Sequence, residues 1–294
     1  HKDKFSFVSG AVSTLGFLGA MFGQVVMAKM VQTIDWHNVL FGLAVIGIVL
    51  ALLIFFMVKL PPDVSLSYRQ RRIDIANIKL NIRKVVFKKD LWIAGLIGAC
   101  LWMPNDSFVT LWGIPYYSEL YHISKVDSSE LLAFVTLGWA VGGPVQGVVA
   151  GKIGRINLQM SISGIVAALL LFVCIYIPMH LIVLKVLLFL VGIFSSVQVL
   201  IFTVARFHVQ ERFLGMGLSF VNFFTMLGSM FLPIIVGKLL DLSGYHLKVA
   251  GAGGSGSKVI YTIADYQNAF ISIPIIVGCS AIFALILHFR NKKK

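Results

Sequence analysis

The residue in this chain best placed to do chemistry is a carboxylate. Asp106 lies about sixteen residues into an apolar run covering 91–115, where an ionised group in lipid costs a few kcal/mol or more. It must therefore face protein or water. At helical spacing its neighbours are Trp102, Asn105, Val109 and Trp112, a mixed polar and aromatic stripe suited to lining a solute cavity. An Asp here would serve equally to cap a helix broken after Pro104. Further polar side chains recur on later apolar runs: Ser195 and Gln198 with Phe202, then Ser219, Asn222, Thr225 and Ser229, with Trp139 and Gln146 on a run between. Such groups either contact a solute or bond helix to helix, at about 0.6–2 kcal/mol each. A carboxylate that is alternately wet and enclosed is also the candidate carrier of a proton.

No catalytic or metal-binding pattern accompanies these residues. A membrane-embedded enzyme would need a nucleophile with its base, or a cluster of His, Asp and Glu, at depth. The runs hold none, so no cofactor and no metal are expected. Cys100, Cys174 and Cys279 are spread singly through apolar runs and read as packed thiols.

The elements that position these residues are membrane-spanning helices. The 294 residues are 58% hydrophobic and only 13% charged, with a mean hydropathy of +0.91. A soluble domain is about a quarter charged. The apolar runs are continuous and long enough for a bilayer, which takes roughly 20 residues of helix, whereas the strands of a barrel alternate. The class is an all-α membrane protein, a polytopic helical bundle. We place eight spans, at about 6–31, 37–59, 91–115, 130–151, 157–177, 181–206, 213–240 and 267–289. A polar, cation-rich insertion at 60–90 separates the first two spans from the other six. The net charge of +13 sits in short connections and forms no stripe on a soluble surface, which argues against a nucleic-acid partner. Most of the 25 Lys and Arg fall on the side shared by both termini and the 60–90 loop, so these are expected to be cytoplasmic. Trp36, Trp112, Tyr116 and Tyr117 then sit near the outer boundary and Trp92 near the inner one. Lys29, Lys185 and Lys238 lie toward span ends, where they can reach the interface. The stretch Gly251–Ser257 reads as a flexible linker.

Small residues are spaced for close helix packing. Gly138, Gly142, Gly143, Gly147 and Gly151 recur through span 130–151, and Gly16, Gly19, Ala20 and Gly23 through span 6–31. The expectation is that the Gly143/Gly147 face meets another helix, with span 6–31 the candidate. The same span runs into a turn, Gly147-Val-Val-Ala-Gly151-Lys152-Ile-Gly154-Arg155.

That turn resembles the loop between helices 8 and 9 of the major facilitator superfamily, G-x-x-x-D-K/R-x-G-R/K, with Gly151 standing at the acidic position. Leu111-Trp-Gly-Ile-Pro-Tyr-Tyr117, Gly138-Trp-Ala-Val-Gly-Gly-Pro144, and Glu211-Arg212 leading through Gly215, Gly217 and Asn222 to Pro233, Gly237 and Asp241 are similar to helices 7, 8 and 11 of bacterial members. Nutrient transporters of intracellular bacteria are the nearest in character. The resemblance implies that the spans correspond to helices 5 to 12. Residues 1–59 would be the last two helices of an N-terminal bundle, 60–90 the cytoplasmic linker and 91–294 a six-helix C-terminal bundle, with four opening helices expected before them. It further implies a secondary active transporter in the inner (plasma) membrane, moving a small polar solute by alternating access with protons as the candidate coupling ion. A non-transporting receptor or scaffold with the same fold is the alternative.

Overall fold

The computed structural model describes residues 34–57, 82–243, 248–249, 258–259 and 261–292, with a few isolated positions between 15 and 30. The span expected at 6–31, the Gly251–Ser257 linker and most of the 60–90 insertion lie outside these residues. The chain divides into two compact units, one of residues 18–84 and one joining 1–17 to 85–294. The smaller unit contributes α1 (Trp36–Met57). It is apolar all round, as a helix surrounded by lipid or other helices must be.

The described part of the larger unit is almost entirely helical. A continuous helical run comprises α2 (Lys89–Pro104), a π-helical segment (Asn105–Trp112) and α3 (Gly113–Tyr121). Next come α4 (Lys125–Ile153) and α5 (Ile156–Tyr176). α6 (Leu181–Ser195) leads through a 3-10 segment (Ser196–Val199) into α7 (Leu200–His208). α8 (Leu214–Ser243) is followed by a two-residue antiparallel pair, β1 (Lys248–Val249) with β2 (Lys258–Val259), then by α9 (Ile263–Phe270) and α10 (Ser272–Lys292).

Six of the described helical runs are long and apolar enough to cross a membrane, at 36–57, 125–153, 156–176, 181–208, 214–243 and 263–290. The run at 89–121 is helical along its whole length, but Asn105 and Asp106 at its centre make it more polar than these six. Helices extend past the expected spans where polar caps carry them beyond the apolar stretch. α4 starts five residues early because Ser124 accepts the Asp127 N–H at 3.1 Å. α9 starts early because Thr262 and Asp265 form a reciprocal capping box. Just before it, the half-buried Tyr261 donates to Asp241 at the end of α8 (2.7 Å). That bond favours the neutral phenol and pushes it up to about 12.

Packing in the bundle follows small residues. α4 crosses α6 at Gly138 and Gly192, so closely that a Cβ on Gly138 would lie 2.9 Å from the Gly192 Cα, and one on Gly192 2.8 Å from the Gly138 Cα. α8 lies along α2, where a Cβ on Gly95 would meet Phe224 at 2.8 Å and one on Gly228 would meet Ala99 at 2.8 Å. The expected partner of the Gly143/Gly147 face, span 6–31, lies outside the described residues. A Cβ on either glycine meets nothing within 4 Å among the described residues, because the α4 surface that approaches a neighbour is the one carrying Gly138 and Gly142.

The two ends of the bundle are held differently. At one end Tyr116 and Tyr117, both fully buried, donate to the carbonyls of Ile175 and Cys174 (3.1 Å for Tyr117), and Tyr116 packs with Tyr266 and Phe270. They were expected as interfacial rings. Instead they tie α3 to α5, while Trp36 and Trp92 are the rings left exposed. At the opposite end Asp90, only 5% exposed, accepts from Arg290 Nε at 3.0 Å and lies 3.6 Å from His208 Nε2. The Lys88 ammonium donates to the His208 carbonyl. One carboxylate thus gathers the ends of α2, α7 and α10.

Candidate functional site

The irregular segments sit halfway along two of the long helices. Pro104 has no N–H to continue the α ladder; the next residue, Asn105, bonds back to the Trp102 carbonyl. The helix then widens into π turns, closed when Gly113 N–H reaches the Phe108 carbonyl five residues back. Such segments are frequent at functional sites. Asp106 is its second residue and is partly exposed. Its Oδ2 accepts the Trp102 indole N–H at 2.8 Å, and Asn105 Nδ2 lies 3.5 Å from Oδ1. Next to it the hydroxyl of Ser107, fully buried, has no hydrogen-bond partner among the described residues.

Across from this segment the 3-10 turn of 196–199 lies midway between Leu181 and His208. A cleft of about 210 Å³ opens here between four helical runs. Trp102 comes from α2, and Trp139, Ala140, Gly143 and Pro144 come from α4. The 3-10 segment supplies Ser196, Gln198 and Val199, α7 adds Phe202, and α8 adds Asn222 and Met226. The two indoles meet edge to face with centroids 5.2 Å apart.

Of the residues expected at a site, the cleft brings together Trp102, Trp139, Gln198 and Asn222. Asp106 and Asn105 are not among the lining residues; Asp106 is tied to the cleft by its bond from Trp102, and Asn105 lies beside Asp106. Three others lie elsewhere. Gln146 is buried between helices, donating to the Ile193 carbonyl at 3.1 Å and accepting from Gln159 at 2.7 Å, which clamps α4, α5 and α6. Thr225 is fully buried and returns its hydroxyl to the Val221 carbonyl (3.1 Å), on the face that meets Gly98 of α2. Ser195 is buried outside the lining. Its neighbour Ser196 takes the wall position because the 3-10 turn advances three residues per turn, not 3.6, and so rotates the lining from 195, 198 and 202 to include 196 and 199.

A family model described as Major Facilitator Superfamily matches residues 1–233 and, again, 106–294. The chain belongs to the Major Facilitator Superfamily. No curated protein matches it. Members of this superfamily are transporters, so the chain is a multi-pass membrane protein of a transport family.

The superfamily-like turn after α4 owes its last glycine to backbone geometry. Gly154 has φ +69° and closes α4 by bonding to the Ala150 carbonyl at 3.0 Å, a left-handed cap that suits glycine. Gly147, Gly151, Lys152 and Arg155 are exposed. Gly154 and Arg155 border a second cavity of about 320 Å³ with Asn157, Phe207, His208 and His288, at the Asp90 end of this superfamily member. Sequence reasoning assigned His208 no role. It is half-buried, with Nδ1 bonded to the Val204 carbonyl at 2.8 Å. Asp90 and Arg290, which that reasoning passed over, are separated by 200 residues and carry no local signal.

Proposed function

We propose that this chain forms the solute-handling part of a secondary active transporter that moves a small polar solute by alternating access about the cleft between α2, α4, α7 and α8. The carrying observation is the position of that cleft: halfway along four helices, beside two non-α segments and a carboxylate, where solute sites of alternating-access proteins are formed. Residues 91–294 act as one six-helix bundle, 1–59 supply helices of the opposing bundle, and 60–90 link them. Both termini and the linker face the cytoplasm of a bacterial inner membrane, because the Lys and Arg collect on that side. In character it resembles nutrient transporters of intracellular bacteria. Asp106 carries the coupling proton.

The test uses Asn222→Cys in the intact protein with Cys279 replaced by Ser, reconstituted in vesicles of one orientation. A membrane-impermeant thiol reagent should reach position 222 from either side, with the favoured side switching when a pH gradient is imposed. Reaction from one face under every condition would leave a receptor or scaffold, and the transport reading would fail.

A further inference from the structure

We propose that the cleft is built for an organic cation, a small amine whose ammonium group is carried on an apolar or planar body. The inference rests on the transporter reading for the role of the cleft and adds the chemical class of what enters it. Three features of the walls support it. Trp102, Trp139 and Phe202 present aromatic surface, whose negative faces attract ammonium groups, with indole the strongest. Trp102 also donates its indole N–H to the Asp106 carboxylate at 2.8 Å, which pushes electron density into the ring and strengthens its hold on a cation. The carboxylate has about four lone-pair positions. Trp102 and Asn105 use two of them; Asp106 is not itself among the lining residues, so its negative charge acts on a cation in the cleft from behind the Trp102 ring.

The polar complement agrees in sign. No Lys, Arg or His is among the described residues lining the cleft, so an anion would meet ring faces, with the Asp106 carboxylate bonded behind Trp102 and no cation to neutralise it. A neutral solute would leave Asp106 without a role in recognition. Gln198, Ser196 and Asn222 supply donors and acceptors for a hydroxyl, amide or ring nitrogen on the body of the solute. At about 210 Å³ the cleft falls below the ~300 Å³ at which drug-sized sites begin, so the amine is small. A bare metal ion is a poor fit, because one carboxylate beside indoles lacks the six or more oxygens that hard cations collect.

The test compares three probes of matched shape on the purified intact protein: phenethylammonium, 3-phenylpropionate and 2-phenylethanol. Binding is followed by tryptophan fluorescence and by the shift in melting temperature. Phenethylammonium should bind at least about ten-fold more tightly than either of the others. Asp106→Asn should remove that preference while leaving the weak binding of the alcohol in place, since Asn still accepts the Trp102 N–H. Trp139→Leu should weaken the cation more than the alcohol, and the unliganded melting of each variant reports whether it folds. Binding of the anion or alcohol as tightly as the cation, binding of none of the three, or a cation preference that survives Asp106→Asn would overturn the proposal. Alternation at position 222 would then still stand as evidence for transport, whereas cation binding without alternation would sink the transport reading and keep the selectivity.

Discussion

Asp106 concentrates most of what can be argued at the level of a single side chain. Its type and depth were legible from the sequence, and so was its proximity to Trp102 one helical turn earlier. The bond between them follows from that spacing even through the α-to-π junction. If Asp106 is the proton-carrying group, Asp106→Asn should abolish accumulation of phenethylammonium against a gradient in proteoliposomes while exchange at equal concentrations continues. The size and hydrogen bonding of the side chain are preserved and only its titration is lost. Gradient-driven accumulation by the Asn variant at the wild-type level would assign coupling to another group. Gln146 and Thr225 were less legible. Periodicity places a polar residue on a face, but whether that face meets a cleft or a neighbouring helix depends on which helix lies opposite, and no local pattern encodes this.

At the level of helices, the sequence located the described spans well because a bilayer demands long apolar runs. It erred at their ends, where caps such as Ser124 and Thr262 prolong a helix through polar residues. Which glycines of a stripe meet which helix was not legible. Gly138, Gly142, Gly143 and Gly147 all fit a small-residue stripe, yet among the described residues only the first two are pressed against a neighbour, at Gly192, Ile193 and Ser196. Gly138→Leu or Gly192→Leu should therefore destabilise the bundle by about 1–3 kcal/mol or more, since backbone and not a flexible side chain stands in the way. Gly147→Leu should leave the melting temperature unchanged. Melting of the three variants in one detergent decides the matter, and an equal loss at Gly147 would place that surface against a helix after all. The 3-10 and π segments had no sequence signature beyond Pro104, because both are answers to packing across the bundle.

Across the bundle as a whole, the contacts that hold its ends join residues far apart in the chain, and this is why they escaped a local reading. Arg290→Ala removes the closest cation from the buried Asp90 carboxylate. Breaking a fully buried pair costs about 3–5 kcal/mol. Because the Arg290 side chain is 40% exposed, a loss on the order of 1–3 kcal/mol is expected here. It would appear as a lower melting temperature, largely restored by Arg290→Lys; no change in melting would show that the Asp90 end is held by its other contacts. The tyrosine cluster fixes the opposite end of the same helical run. The run of 89–121 is thus gripped at Asp90 by α7 and α10, and at Tyr116 and Tyr117 by α5, with its π turns in between. A rod clamped at both ends cannot change its winding by slipping: if a π turn tightens to an α turn, the difference must appear as torsion of the stretch between the clamps. That stretch carries Trp102 and Asp106, so a twist there re-aims the indole and the carboxylate together while both ends stay in place.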